Sequence, residues 1–239
     1  MDVADAGGRA LIGLVLLLAC SGEASKETVD SGAPADTADS GAPVDTADTG
    51  VPQVTYDPWP FVDAVASYTP GEGAGFGQDA YPDVVYGPPE APGDGGGSLD
   101  VLSLGREGAI VVSFRAIDVV DGPGADLLVF ENPFTGWAET GVVGVSEDGE
   151  AWTEWPCDAA DADGGYPGCA GVALVYANST NGVDATDPDA AGGDRFDLAD
   201  IGVARARYVR VRDSGANAYD GVSGGFDLDA VAVVHAAAW

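Results

Sequence analysis

Tyr208-Val209-Arg210-Val211-Arg212 alternates polar and apolar side chains without a break. Successive side chains of a strand point to opposite faces, so Tyr208, Arg210 and Arg212 share one face and Val209 and Val211 the other. A helix would mix the two sets. Strand candidates of similar length are Val101–Leu104, Ala109–Phe114, Asp126–Glu131, Val142–Ser146, Ala151–Trp155, Gly171–Tyr176 and Phe226–Val234. Each is short and bounded by Gly, Pro, Asn or Asp clusters, the pattern of a sandwich or barrel. Val145-Ser146-Glu147-Asp148-Gly149-Glu150-Ala151-Trp152 predicts a hairpin, with Asp148-Gly149 supplying the positive φ of a tight turn. No stretch of a dozen residues shows helical periodicity with caps. Residues 54–239 therefore read as one all-β domain, long enough for a real core.

Composition narrows the function. The 239 residues carry nine Lys+Arg against 40 Asp+Glu, a formal charge of −31. Nucleic acid and anionic bilayer surfaces would be repelled over most of the molecule, so neither is an expected bulk partner. A hydrophobic share of 46% is too high for wholesale disorder, and 36 Gly with 15 Pro are too many for a helical bundle. Nucleophiles and bases are scarce. The one histidine, His235, sits four residues from the C-terminus, where a Ser-His-Asp arrangement would depend on a frayed end. Carboxylate pairs for glycoside hydrolysis are too numerous to choose among. An enzyme is not expected, and a glycoside or ester hydrolase remains the minority alternative.

The N-terminus reads as an address. Ala10 to Ala19 is an apolar run too short to span a bilayer, as in the core of a signal peptide occupying residues 1–19. Leu17-Leu18-Ala19-Cys20 resembles the lipobox of bacterial lipoproteins, although Asp2 and Asp5 outnumber Arg9 where a basic segment is usual. The resemblance implies that Cys20 is lipidated and becomes the new N-terminus, making the bilayer a partner through acyl chains. Ser21-Gly22, with no Asp after the cysteine, points to the outer membrane or cell surface of a Gram-negative host. Residues 20–53 follow as a disordered tether. Asp30-Ser31-Gly32-Ala33-Pro34-Ala35-Asp36-Thr37-Ala38 nearly repeats as Asp39-Ser40-Gly41-Ala42-Pro43-Val44-Asp45-Thr46-Ala47, with no aromatic side chain to offset the ordering entropy. A flexible chain of this length reaches roughly 30 Å. An O-glycosylated stalk is the other reading.

A family resemblance adds to this. The hairpin 145–152, the strand Ala206-Arg207-Tyr208-Val209-Arg210-Val211 and the closing Gly225-Phe226-Asp227-Leu228-Asp229-Ala230-Val231 resemble parts of galactose-binding-like jelly rolls, the superfamily of discoidin domains and many carbohydrate-binding modules. Val120 to Phe134 and Gly192 to Asp200 are similar to segments of bacterial cell-surface proteins of this shape. The resemblance implies an antiparallel jelly-roll β-sandwich that binds rather than catalyses, and often one structural Ca2+ with an acid from the closing strand among its ligands.

Several residues are candidates for chemistry. Cys157 and Cys169 remain as an even pair in an exported chain, which predicts a disulfide; one distant histidine makes a zinc site a poor rival. Asp121 and Asp126 flank a Gly-Pro-Gly turn, Glu131 ends the next strand, and Asp227 and Asp229 sit on one face of the last. Hard oxygens at turns and strand ends suit Ca2+, although acids in so acidic a chain also meet by chance. Trp137, in the loop 132–140, is the candidate stacking platform for a sugar ring, while Trp152 and Trp155 are expected in or near the core. Arg210 and Arg212 would serve an anionic sugar, or simply pair with neighbouring acids. The glycine-rich stretch 71–77 lacks the lysine of a phosphate loop and reads as a flexible loop.

The expectation is a lipid-anchored, monomeric surface protein displaying a binding domain for carbohydrate or another envelope polymer; a structural or adhesive lipoprotein without a small ligand is the alternative. Cys20→Ser should abolish acylation and leave the protein unprocessed or released. Fractionation that finds the wild-type chain soluble, with no lipid mass on its N-terminal peptide, would contradict the anchor.

Overall fold

The computed structural model describes residues 58–94, 96–217, 221 and 223–239. The expected signal peptide, Cys20 and nearly all of the tether-side sequence lie outside these residues. Twelve strands are described: β1 (Ala64–Thr69), β2 (Leu102–Ser103), β3 (Ala109–Ser113), β4 (Ile117–Val120), β5 (Leu127–Glu131), β6 (Gly141–Ser146), β7 (Thr153–Glu154), β8 (Asp194–Phe196), β9 (Arg205–Ala206), β10 (Tyr208–Asp213), β11 (Asp227–Val233) and β12 (Ala236–Ala238). Two 3-10 turns, Asp83–Val85 and Leu198–Ile201, are the only helical elements among the described residues.

The strands form three sheets, ordered β1-β3-β10-β6-β7, β2-β11-β5-β8 and β12-β4-β9, and every pairing is antiparallel. The result is an all-β, sandwich-like domain. Ile110 and Val112 of β3, Val143 and Val145 of β6 and Val209 and Val211 of β10 meet Leu127 and Val129 of β5 and Leu228, Val231 and Val233 of β11 in one apolar core. The other face of the five-stranded sheet is wetter, so β3 and β10 alternate strictly between buried and half-buried residues.

The four-stranded sheet is covered twice. Leu128, Phe130, Ala230 and Ala232 point away from the main core into a second apolar cluster, closed by Phe61, Val175 and small alanines from the connecting segments. Burial on both faces explains why β5 and β11 read as nearly continuous apolar runs rather than alternating ones.

The hairpin forms as expected, as β6 and β7. Gly149 takes φ 80°, and the exposed Asp148 carboxylate accepts the backbone N–H groups of Glu150 and Ala151, both at 2.8 Å. Other expectations are corrected. Gly171–Tyr176 is not a strand and makes only the isolated bridge Val175–Gly192. The buried Asp194 carboxylate takes the N–H groups of Gly171, Val172 and Ala173 at 2.7, 3.1 and 3.0 Å, standing in for a partner strand. The glycine-rich stretch 71–77 is pinned, not free: Gly71 donates to the Leu104 carbonyl, and Glu72 and Ala74 bridge Arg106 and Ser223. The C-terminus is not frayed either, because β12 pairs with β4 and Arg207 stacks over Trp239 at 4.3 Å.

Cys157 and Cys169 form a disulfide. The loop it closes shares a cleft of about 280 Å3 with the segment carrying Trp137, through Ala159, Ala162 and Tyr166. The staple thus abuts the Trp137 loop, although sequence distance from the closing strands suggests independence. Closing a ring of this size is worth about 3 kcal/mol. The double variant Cys157→Ser, Cys169→Ser should lose about that much in denaturant unfolding. An unchanged unfolding midpoint would show that the loop is held by its other contacts alone.

Candidate functional site

A carboxylate cannot sit in the middle of a strand buried on both faces without a partner, so the acids of this sheet gather at strand ends. Asp126 immediately precedes β5 and Glu131 ends it; antiparallel β11 sets Leu228 opposite Glu131 and Val233 opposite Leu127. At 3.3–3.4 Å per residue, Asp126 and Glu131 are about 17 Å apart along the strand. The five acids expected to share one Ca2+ therefore do not converge. They occupy three places.

At the first end, Asp121 and Asp126 meet Asp197, with oxygens within 4.8 Å of one another. Asp126 is fully buried and accepts the N–H groups of Gly122 and Leu198, each at 2.8 Å, while its Oδ1 also lies 2.8 Å from Nδ1 of His235. Asp197, which the sequence does not single out, caps the turn Leu198–Ile201 by accepting from Ala199 N. In the second place, Asp229 sits where a bulge interrupts the β11–β5 register, between Leu228 and Ala230. It accepts Glu90 N through both oxygens at 3.1 and 3.2 Å, and the bulge separates its surroundings from those of Asp227.

The third place has a pocket. Glu131 is 1% exposed, and neither of its carboxylate oxygens has a hydrogen-bond partner. Asp227, Glu139 and Asp194 lie near enough to repel it. Asp227 accepts the Ser103 hydroxyl from the paired strand β2. Beside them opens a cavity of about 470 Å3, with apolar walls from Phe76, Leu99, Phe134 and Trp137 and polar groups from Asn132, Glu139 and Asp227. Trp137 N donates to the Phe134 carbonyl at 2.8 Å, a tight turn that presents both rings from one loop. Phe134 is 54% exposed and Trp137 51% exposed. Gly97 leaves room for them: a Cβ there would lie 2.0 Å from Asn132 Oδ1 and 2.6 Å from Phe134 Cζ.

Trp137 is thus placed at a pocket mouth, as a stacking platform requires. Trp155 is buried edge-on against Phe196, and its Nε1 donates to the Asp197 carbonyl. Arg210 and Arg212 are elsewhere. They lie on the outer face of the five-stranded sheet and both reach Glu154 Oε1, at 3.0 and 3.5 Å, and Arg210 covers the Trp152 ring at 4.3 Å. Arg205 and Arg207 similarly share buried Asp118. Neither Arg210 nor Arg212 lines the pocket, so the expected ligand set separates. Asn132, Phe134 and Glu139 are pocket residues that sequence reasoning passes over, though they share the loop of Trp137.

The chain matches no protein-family model and no curated protein.

Burial dominates the electrostatics. It pushes Glu139 up to about 8, with Asp227 and Asp213 adding repulsion, and Asp227 up to about 6. Glu131 is raised well above the carboxylate range by burial and then by Asp227 and Glu139. Asp229 is raised to about 8 by burial and Asp194 to about 6, despite three N–H donors. A carboxyl with a raised folded pKa binds more protons folded than unfolded, so its contribution is complete below about pH 4 and is lost as pH rises through the folded value. The melting temperature should fall between about pH 4 and about pH 8 at constant ionic strength. Glu131→Gln should flatten that fall; a profile that is level or rising over this window would contradict the burial of these acids.

Proposed function

We propose that this domain is a non-catalytic carbohydrate-binding module, displayed from the cell envelope by a lipidated Cys20, with the pocket beside Trp137 as its binding site. One observation carries the reading: two half-exposed rings, Phe134 and Trp137, border a cavity of about 470 Å3 that also receives Asn132, Glu139 and Asp227. A pyranose offers an apolar C–H face to a ring and hydroxyls to amide and carboxyl groups, and the cavity is of small-ligand size. The pinned 71–77 segment, which supplies Phe76, and the stapled loop beside Trp137 favour a site formed before the ligand arrives. A Ca2+ would have its nearest set of carboxylates at Asp121, Asp126 and Asp197, at the other end of β5, where it would stiffen the scaffold without entering the pocket.

A hydrolase is the second reading, because Glu139 and Asp227 both line the cavity and burial raises both. One experiment addresses both. On a glycan array the protein should retain a defined set of saccharides, and Trp137→Ala should weaken that binding about tenfold, the worth of one aromatic contact. Retention unaffected by Trp137→Ala would move the site elsewhere. New reducing ends appearing on the retained glycan would replace the binding module with a glycosidase.

A further inference from the structure

The unsatisfied groups around the pocket are all of one kind. Both carboxylate oxygens of Glu131, Oδ1 of Asn132 and Oε1 of Glu139 are buried without a hydrogen-bond partner, and each accepts. Among the described residues, the one other buried side-chain atom in this condition is Arg210 Nε, on the five-stranded sheet. A buried polar atom without a partner is destabilising, and the raised pKa of Glu131 and Glu139 reflects the same lack of a cation that would favour their charged forms. Among the described residues, no lysine or arginine lines the cavity.

We propose that the pocket selects a saccharide carrying a free, protonated amine over the same sugar with that nitrogen acetylated or replaced by a hydroxyl. The inference rests on the reading of this pocket as a sugar site and adds the chemistry of the sugar. A hydroxyl or an N-acetyl group brings one donor hydrogen and no charge; an ammonium brings three and a positive charge. Asn132, Glu139 and Asp227 line the cavity; burial favours the neutral form of Glu139 and of Glu131 behind it, and an ammonium placed beside them would favour their ionised forms and draw their protons off. Trp137 and Phe134 suit the same group, since a cation is attracted to an aromatic face. A metal ion fits these acids less well. Among the described residues only Asp121, Asp126 and Asp197 bring three acidic groups within 4.8 Å, and five hydrophobic side chains around a cavity serve an organic ligand better than an ion.

The test titrates the intact protein with methyl glucosaminide, methyl N-acetylglucosaminide and methyl glucoside, followed by Trp fluorescence or NMR near pH 6.5. Salt at about 0.15 M screens the long-range attraction of so acidic a chain for any cation. The amine should bind at least tenfold more tightly than the other two. Glu139→Gln should reduce that preference toward parity, whereas Glu147→Gln, an exposed acid at the β6–β7 turn, should leave it intact. Equal affinities for all three sugars would overturn the amine selectivity while leaving the sugar site standing. Binding of none would overturn both. A preference that Glu147→Gln diminishes as much as Glu139→Gln would reduce the effect to bulk charge and overturn the selectivity.

Discussion

Burial of β5 and β11 on both faces is the constraint on which the rest depends. The sandwich core occupies one side and the Phe61–Val175 cluster the other, so the interior of these strands is apolar except at Asp229, which a bulge turns toward the Glu90 N–H. The other carboxylates of these two strands lie at strand ends, and the length of β5 keeps Asp126 apart from Glu131 and Asp227. Asp126 is satisfied at its end by backbone N–H groups and His235. Glu131 at the other end has no well-formed hydrogen bond, only the nearby Asn132 N–H. The difference between the two ends separates a structural use of buried acids from a site with unmet demand for donors.

The five-stranded sheet solves the opposite problem. Its outer face is half-wet, and there Arg210 and Arg212 of β10 are drawn to Glu154, while Arg205 and Arg207 reach Asp118 on β4 of the three-stranded sheet. These partly exposed pairs add little stability individually. They occupy four of the chain's nine cations away from the pocket, and among the described residues no lysine or arginine lines the cavity beside Trp137.

Strands are legible in the sequence wherever a β-prone run is bounded by turn residues: β3, β5, β6, β10 and β11 are found within about a residue of their bounds, and only β10 shows clear polar–apolar alternation. β1, with exposed residues at its centre, and β12, made of alanines, carry no such signal and are missed. Gly171–Tyr176 has strand composition, yet its amides go to a side chain that no local pattern announces. At the site, Trp137 and the neighbourhood of Glu131 and Asp227 are readable from loop and strand-end positions. The assignment of Asp121 and Asp126 to the same place fails because it ignores the length of β5, and that of Asp229 fails because a bulge breaks the two-residue period. Glu139 lies in the Trp137 loop, but its burial depends on contacts distant in sequence.

The Asp194 carboxylate has a consequence beyond the loop it holds. β8 is the outermost strand of its sheet, and Gly171-Val172-Ala173-Leu174-Val175-Tyr176 is an uncharged, β-prone run close by. Such a run with open amides is a template for another chain's backbone, the route by which edge strands seed aggregates. With three consecutive N–H groups claimed by one carboxylate, that part of the run has no donors left to offer. Asp194 thus acts as a gatekeeper, and it does so from inside the fold rather than by placing charge on the edge itself.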